Sequence, residues 1–207
     1  MRYANRRYCH NIDSTLKTEG KYGIPVITPE RYSPCDWIGF NSVLTAKSYD
    51  KGVHFFIDDY QFERIYHNWS KYGEILARFE AVMTPDFSMY TDWPVAVQIY
   101  NHYRKHVIGA TMQREGLRVY PTICWSDKSS YEWCFSGEPK GGCVAVSSVG
   151  TQKSAQSQLN FIMGFNEMIK RLQPETVIFY GQIPEQCKAN IIRVKPFHDK
   201  FTEAKIG

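Results

Sequence analysis

The sequence lacks the features that most readily assign a protein to a membrane or to an oxidising compartment. Its six cysteines include no C-x-x-C pair, and no apolar run approaches the roughly 20 residues of a membrane-spanning helix. The polar N-terminus does not match a signal peptide. We therefore predict a cytoplasmic protein without membrane contact, whose cysteines are free thiols. The cysteine spacing gives no support to a zinc site that would include His10.

Nucleotide-binding and hydrolase motifs are also missing. The chain has no internal repeat, Walker motif, dinucleotide-binding glycine pattern or G-x-S-x-G elbow. Its formal net charge of +4 permits contact with nucleic acid without requiring it. The densest basic stretch contains Arg2, Arg6 and Arg7 and lies in residues 1–20, which we interpret as a solvated N-terminal arm. Residues 21–207 then form a single α/β domain.

What the sequence does contain is a regular alternation of short apolar runs with helical patterns. Helices are predicted at 60–79, 92–116, 128–135 and 154–173, with Ser70, Asp92 and either Ser129 or Ser130 as N-caps. Strands are predicted at 22–29, 36–42, 52–59, 80–88, 117–125, 142–150, 175–181 and 190–194. Such alternation indicates parallel βαβ units. The predicted fold is a compact or incomplete TIM-like barrel, because a full one needs about 250 residues; the alternative is an open doubly wound sheet.

Polar, small and aromatic residues collect where the predicted strands end. The carboxyl ends of parallel strands meet at one face of such a sheet, so these residues are expected to line a shared pocket. The candidate catalytic residues are Asp58, Asp59, Asp86 and Asp127. Of these, Asp58, Asp59 and Asp86 could also hold Mg²⁺ or Mn²⁺ through their carboxylate oxygens. The candidate substrate-binding residues are Ser88, Arg104, Trp125, Ser147, Ser148, Gly150 and Tyr180.

Each candidate has a simpler structural interpretation. An aspartate at a strand end often caps the next helix, and Arg104, in the middle of a helix, is more often solvated. Trp125 and Tyr180 could stack on a sugar or nucleobase, while the 147–151 turn could hold an anion at a helix N-terminus. His102 and His106 lie four residues apart on one helix, but we interpret them as surface histidines. The glycine-rich segment 137–142 precedes a strand and is interpreted as a turn.

Several sequence blocks together resemble a known family. They are "FFIDDYQFERIY", "TPDFSMYTDWPVAVQIYN", "GLRVYPTICW", "VAVSSVG" and "LQPETVIFYG". In combination they resemble the uncharacterised domain-of-unknown-function family 4417, and the resemblance covers residues 22–181. It implies a protein encoded by phages or other mobile elements of bacteria. It implies no activity.

Two functions are consistent with this pattern. The first is a phage-type or mobile-element-type cytosolic enzyme that acts on a nucleotide, a nucleic acid or a nucleobase–sugar linkage through the carboxylate-lined pocket. The second is a non-catalytic binding protein, either an inhibitor of host defence similar to anti-CRISPR proteins or an accessory protein of replication. In the second case, the aromatic side chains and the basic N-terminus would form the interface with a host protein or with nucleic acid.

Overall fold

The computed structural model describes residues 12–194, so Arg2, Arg6 and Arg7 of the predicted arm lie outside the described residues. The strands are β1 Thr18–Glu19, β2 Ile24–Pro25, β3 Asp36–Gly39, β4 Lys51–His54, β5 Ala81–Met83, β6 Val119–Tyr120, β7 Cys143–Ser147, β8 Thr176–Tyr180 and β9 Ile191–Val194. The α-helices are α1 Asp59–Phe62, α2 Arg64–His67, α3 Trp69–Leu76, α4 Val95–Arg114 and α5 Ala155–Leu172. Two short 3-10 helices span Phe40–Ser42 and Lys128–Glu132.

The larger sheets are wholly parallel, which confirms the predicted α/β class. One sheet has the order β3-β4-β5-β6 and the other the order β7-β8-β9, so each strand lies beside its predecessor in the chain. A parallel bridge between Thr122 and Ala145 joins the two sheets, and the Ile123 N–H donates to the Ala145 carbonyl at 2.8 Å. The strand predicted at 22–29 is different, because β2 pairs antiparallel with β1 in a small separate hairpin.

The parallel strands do not form a closed barrel within residues 12–194. The edge strands β3 and β9 are not paired to each other, and a cleft of about 220 Å³ is lined by residues of both, including Trp37 and Ile192. None of the helices that the structure describes combines the length and the apolar character that a membrane crossing requires.

Alternating side chains of β7 and β8 pack in opposite directions, so helices and strands cover both faces of these strands. Cys143, Ala145 and Ile178 belong to one core cluster with Trp37 and Tyr120. Their neighbours along the strands belong to a second cluster with α5, which comprises Val144, Val146, Phe161, Phe165, Val177 and Phe179. This two-sided burial explains why these strands read as continuous apolar runs in the sequence.

The N-caps of three helices differ from the predicted ones by two or three residues. The N-cap of α3 is Asn68 rather than Ser70, and that of α4 is Pro94 rather than Asp92. The short helix that begins at Lys128 is capped by Asp127, so the prediction of Ser129 or Ser130 is wrong. The end of α5 is as predicted, because the helix stops at Leu172, just before Pro174.

Candidate functional site

The most unusual element of the fold is α4, whose polar side is buried. Its buried polar residues are Gln98, Asn101, His102, Arg104, Lys105 and His106. Arg104 is only 8% exposed, so its interpretation as a solvated residue is wrong. Buried polar groups are costly unless they find partners, so the partners of these side chains define a site.

The first group of contacts connects α4 to the ends of β4 and β5. Asp59 begins α1 just after β4, and its carboxylate accepts hydrogen bonds from the Ser88 N–H at 3.1 Å and from the Ser88 hydroxyl at 2.8 Å. The Ser88 carbonyl accepts from Asn101 Nδ2 at 2.6 Å. Arg104 donates to Asn101 Oδ1 at 2.6 Å and to the Glu63 carboxylate. Two strand ends and α4 are therefore fixed to one another by polar contacts.

Asp86 follows β5 near these contacts and has the most altered acidity of the candidate residues. Loss of hydration raises its pKa to about 7; the Asp59 carboxylate also raises it, while Lys105 and a hydrogen bond with Cys124 lower it. Asp86 is nevertheless only half-buried, so it keeps some contact with solvent. Burial also raises the pKa of Asp59, against the effect of its Ser88 hydrogen bonds. The ends of β4, β5 and β6 therefore bring two aspartates and a cysteine to one place.

Lys105 connects Asp86 to a second, deeper group. Its ammonium donates to the Thr122 carbonyl at 2.8 Å and to the Glu138 carboxylate, and both side chains of the ion pair are at most 1% exposed. Burial alone would lower the pKa of Lys105, but the Glu138 carboxylate raises it above its ordinary value. Burial alone would raise the pKa of Glu138, but Lys105 and His106 lower it below its ordinary value. Both groups therefore stay charged inside the protein.

His102 and His106 lie beside this ion pair, so their interpretation as surface histidines is wrong. Both are buried, and their ring centroids are 4.3 Å apart. His106 Nε2 lies 3.0 Å from Glu138 Oε1, and His102 Nε2 lies 3.0 Å from the Ser136 carbonyl. Burial lowers the pKa of both imidazoles. In the described part of the chain, His102, His106 and Glu138 are the one group of three metal-ligating side chains with ligand atoms within 4.8 Å of one another.

The structure places the other candidate aspartates differently. Asp58 is exposed, and its nearest hydrogen-bond donor is Gln61 Nε2 at 3.5 Å. Asp127 caps the helix at Lys128–Glu132, because its carboxylate accepts from the Ser129 N–H at 2.9 Å and from the Ser129 hydroxyl at 2.6 Å. Asp58, Asp59 and Asp86 do not form a three-ligand group of the kind seen at His102, His106 and Glu138.

The candidate binding residues at or after the ends of β6, β7 and β8 are engaged in packing or local turns. Tyr180 is 7% exposed, and its ring lies 5.1 Å from Phe56 and 5.0 Å from His54. Trp125 Nε1 donates to the Asn160 carbonyl at 3.3 Å. The Ser148 hydroxyl donates to the Gln182 carbonyl at 2.6 Å.

The loop after β7 has its own internal hydrogen bond. Ser147 Oγ accepts from the Val149 N–H at 3.2 Å. Gly150 has a φ of 82°, a left-handed conformation that favours glycine. Both residues therefore shape the turn that leads toward α5.

Sequence reasoning missed Lys105, Glu138 and Cys124 as parts of the site. Lys105 stands in the polar run "NHYRKH" inside a helix, and such a run is a signal that could have identified a buried polar face. Glu138 lies in the segment 137–142, which the sequence predicts to be a turn. In the structure the turn spans 133–137, and Glu138 comes directly after it.

A larger cleft, of about 350 Å³, lies at the opposite ends of β5 and β6, between 77–80 and 115–118. We place the candidate site at the buried polar residues of α4 and their partners, because the groups with shifted pKa values lie there.

Comparisons with known proteins agree with the resemblance seen in the sequence. "Gene 1 protein" of Mycobacterium phage D29 is 35% identical over 193 residues, which cover 90% of this chain and 70% of the phage protein. "Gene 1 protein" of Mycobacterium phage L5 is 37% identical over 180 residues, which cover 84% and 77% respectively. No solved structure matches this chain significantly. The family model described as "Domain of unknown function (DUF4417)" matches residues 16–198, and the chain therefore belongs to this family.

Proposed function

We propose that this protein is a cytosolic enzyme that uses acid–base catalysis on a nucleotide, a nucleic acid or a nucleobase–sugar linkage. Asp86 is the proposed proton-transferring group, and Asp59 is the fixed charge that tunes it. The proposed site lies at the strand ends of an incomplete TIM-like barrel formed by β3 to β9. The observation that carries the proposal is the convergence of Asp59, Asp86 and Cys124 at the ends of β4, β5 and β6, and a pKa of about 7 for Asp86 suits proton transfer at neutral pH.

The chemistry of Asp86 follows from its surroundings. A carboxyl group with a pKa near the working pH is present in both protonation states, so it can donate a proton in one step and accept one in another. Asp86 is only partly exposed, and access of a substrate to its carboxyl group is part of the proposal. Lys105 is fully buried and bound to Glu138, so it acts as a positioning residue that holds the electrostatic environment of Asp86. We favour proton transfer over Mg²⁺ ligation for Asp86, because its raised pKa disfavours the charged form that binds a metal.

Exposed aromatic side chains beside the aspartates support a substrate with a flat ring. Tyr60 directly follows Asp59 and is 78% exposed, and Tyr90 is two residues after Ser88 and 57% exposed. The Tyr90 ring packs edge-on against Trp93, with centroids 5.0 Å apart, so part of its face stays accessible. Stacking on such rings is a sequence-tolerant way to hold a nucleobase. These tyrosines replace Tyr180 and Trp125 as the proposed stacking residues.

The proposal is tested by incubating the purified protein with nucleosides, nucleotides and single- and double-stranded oligonucleotides and analysing the products by mass spectrometry. We expect conversion of at least one substrate, with a rate that titrates near pH 7. Asp86→Asn should reduce this rate by about 100-fold or more. Asp50→Asn is the matched control, because Asp50 is exposed and lies before β4. Conversion by Asp86→Asn at the wild-type rate, or no conversion of any substrate, would overturn the proposal.

A second candidate is a binding protein that inhibits host defence or assists replication. It is favoured by exposed large apolar residues at and before the start of α4, among them Tyr90, Val95 and Val97, which are 57%, 53% and 41% exposed. Exposed apolar side chains that lie close together are typical of protein interfaces. A pull-down from host lysate should then recover a stoichiometric partner that Val95→Asp and Val97→Asp variants lose. Retention of that partner by both variants would exclude this surface.

A further inference from the structure

We propose that His102, His106 and Glu138 form a buried binding site for a divalent transition metal, with Zn²⁺ as the best-matched ion. This inference does not depend on the proposed catalytic role of Asp86, because it concerns different side chains and is measured as metal bound per chain. It is carried by the closeness of three buried ligand-bearing side chains, two of which keep a polar atom without a hydrogen-bond partner.

The spacing of the ligands suits one ion. His102 and His106 stand four residues apart on α4, so their imidazoles lie on the same face of the helix. Glu138 reaches the same point from the segment between the second 3-10 helix and β7. One ligand atom from each residue lies within 4.8 Å of the others, and all three residues are buried. Two imidazoles and one carboxylate form a common three-ligand set for catalytic zinc.

The hydrogen bonds of the imidazoles indicate which ring nitrogen is free to bind a metal. His102 Nε2 is 3.0 Å from the Ser136 carbonyl, and His106 Nδ1 is 2.7 Å from the Pro25 carbonyl. A carbonyl only accepts hydrogen bonds, so these nitrogens carry the protons. In the neutral form that burial favours, His102 Nδ1 and His106 Nε2 therefore present lone pairs. Metal-binding histidines are typically oriented by such a bond from the other ring nitrogen to a carbonyl.

Two buried atoms of this group have no hydrogen-bond partner among the described residues. His102 Nδ1 and Glu138 Oε2 are buried and have no hydrogen-bond partner, which is rare for buried polar atoms. His106 Nε2 lies 3.0 Å from Glu138 Oε1, so two acceptors face each other there. A proton on His106 would resolve that one contact and leave the other two atoms unpaired. A single cation between the three side chains satisfies all of them.

The ligand types select the ion, and Lys105 prepares the carboxylate. Imidazole nitrogens favour Zn²⁺ and related transition metals, whereas Mg²⁺ and Ca²⁺ favour oxygen ligands. Lys105 binds Glu138 through Oε1, which keeps the carboxylate charged and leaves Oε2 for the metal. Lys105 is thus a positioning residue for this site as well.

The site is tested with the full chain, purified without a histidine tag, stripped with a chelator and titrated with Zn²⁺ in competition with a chromophoric chelator. We expect one Zn²⁺ per chain, and a loss of affinity of about 100-fold or more in both Glu138→Gln and His102→Gln, since even indirect partners of a ligand are worth 10–100-fold. His67→Gln should bind as the wild type does. His67 is the matched control because it lies 3.9 Å from Glu63, and its side chain is 50% exposed.

Folding and competing ions are controlled separately. Co²⁺ added to the stripped wild type should give visible absorption bands typical of a low-coordinate nitrogen–oxygen site, a readout that needs no variant. Circular dichroism of each variant shows whether weak binding reflects a lost ligand or a lost fold. Absence of Zn²⁺ binding and of Co²⁺ bands in the folded wild type would overturn the inference. The inference would also be overturned if both folded variants, Glu138→Gln and His102→Gln, bound Zn²⁺ as tightly as the wild type.

Discussion

Replacing Lys105 with methionine should destabilise this protein far more than breaking an ion pair at its surface. Methionine keeps the unbranched apolar stem of lysine but removes the ammonium that donates to Glu138 and to the Thr122 carbonyl. Glu138 then keeps a negative charge, or must take up a proton, in a position where its side chain is 0% exposed. The prediction follows directly from the burial of the pair.

The size of the effect comes from the loss of compensation for a buried charge. Removing one partner of a buried ion pair typically lowers the free energy of unfolding by about 3–5 kcal/mol. Exposed pairs contribute about 0–1 kcal/mol, because water already solvates their charges. Lys170 and Glu167 form such an exposed pair, 4.0 Å apart, with the Lys170 side chain 78% exposed. The two pairs therefore provide an internal comparison within one chain.

The assay is urea unfolding at pH 7 with a chelator present, so that metal binding does not contribute. The variants are Lys105→Met, Glu138→Gln and the double variant, with Lys170→Met as the control. We expect the double variant to lose less stability than the sum of the single variants, because neither charge is then left alone. A Lys105→Met variant that loses no more stability than Lys170→Met would refute the reasoning, and so would strictly additive losses.

Two further predictions concern the aspartates. The pKa of Asp86 is raised from 3.8 to about 7, so its contribution to stability is present below pH 3.8 and is lost as the pH rises to 7. Asp86→Asn should therefore gain up to about 4 kcal/mol relative to the wild type between pH 4 and pH 8, as measured by urea unfolding; a difference independent of pH would contradict this. Asp127→Ala should lower the free energy of unfolding by about 1 kcal/mol through loss of its cap to Ser129. The Asp58 side chain makes no cap hydrogen bond, so Asp58→Ala should change the free energy of unfolding by less than about 0.5 kcal/mol. Equal effects of the two substitutions would contradict the assignment of Asp127 as a cap.

The parallel order of the strands could be predicted from the sequence because its causes are local. Runs such as 143–147 and 176–180 are apolar on both faces, and each is followed or preceded by a helix with clear end signals. Closure of the barrel could not be predicted in the same way. Whether β9 pairs with β3 depends on the packing of residues far apart in the chain, including Trp37 and Ile192 around the intervening cleft.

The buried face of α4 shows why the site was only partly predictable. Val95, Ile99, Tyr103 and Val107 recur at helical spacing and indicate an apolar buried face, yet Val95 is 53% exposed. Lys105 and His106 are buried because Thr122, Glu138 and Pro25, from three distant segments, supply their partners. A residue pattern along one helix carries no information about such partners. The strand-end rule did place Asp59 and Asp86 near each other, since that rule depends only on strand direction.

The central claim is that the strand ends create one electrostatically coupled site around Asp86. The most direct measurement is a pH titration of the Asp86 carboxyl carbon by NMR in the wild type and in Asp59→Asn. The account predicts a wild-type midpoint of about 7 and a lower midpoint in the variant, because the Asp59 charge is then absent. A midpoint near the ordinary value of 3.8, unchanged by the substitution, would contradict it.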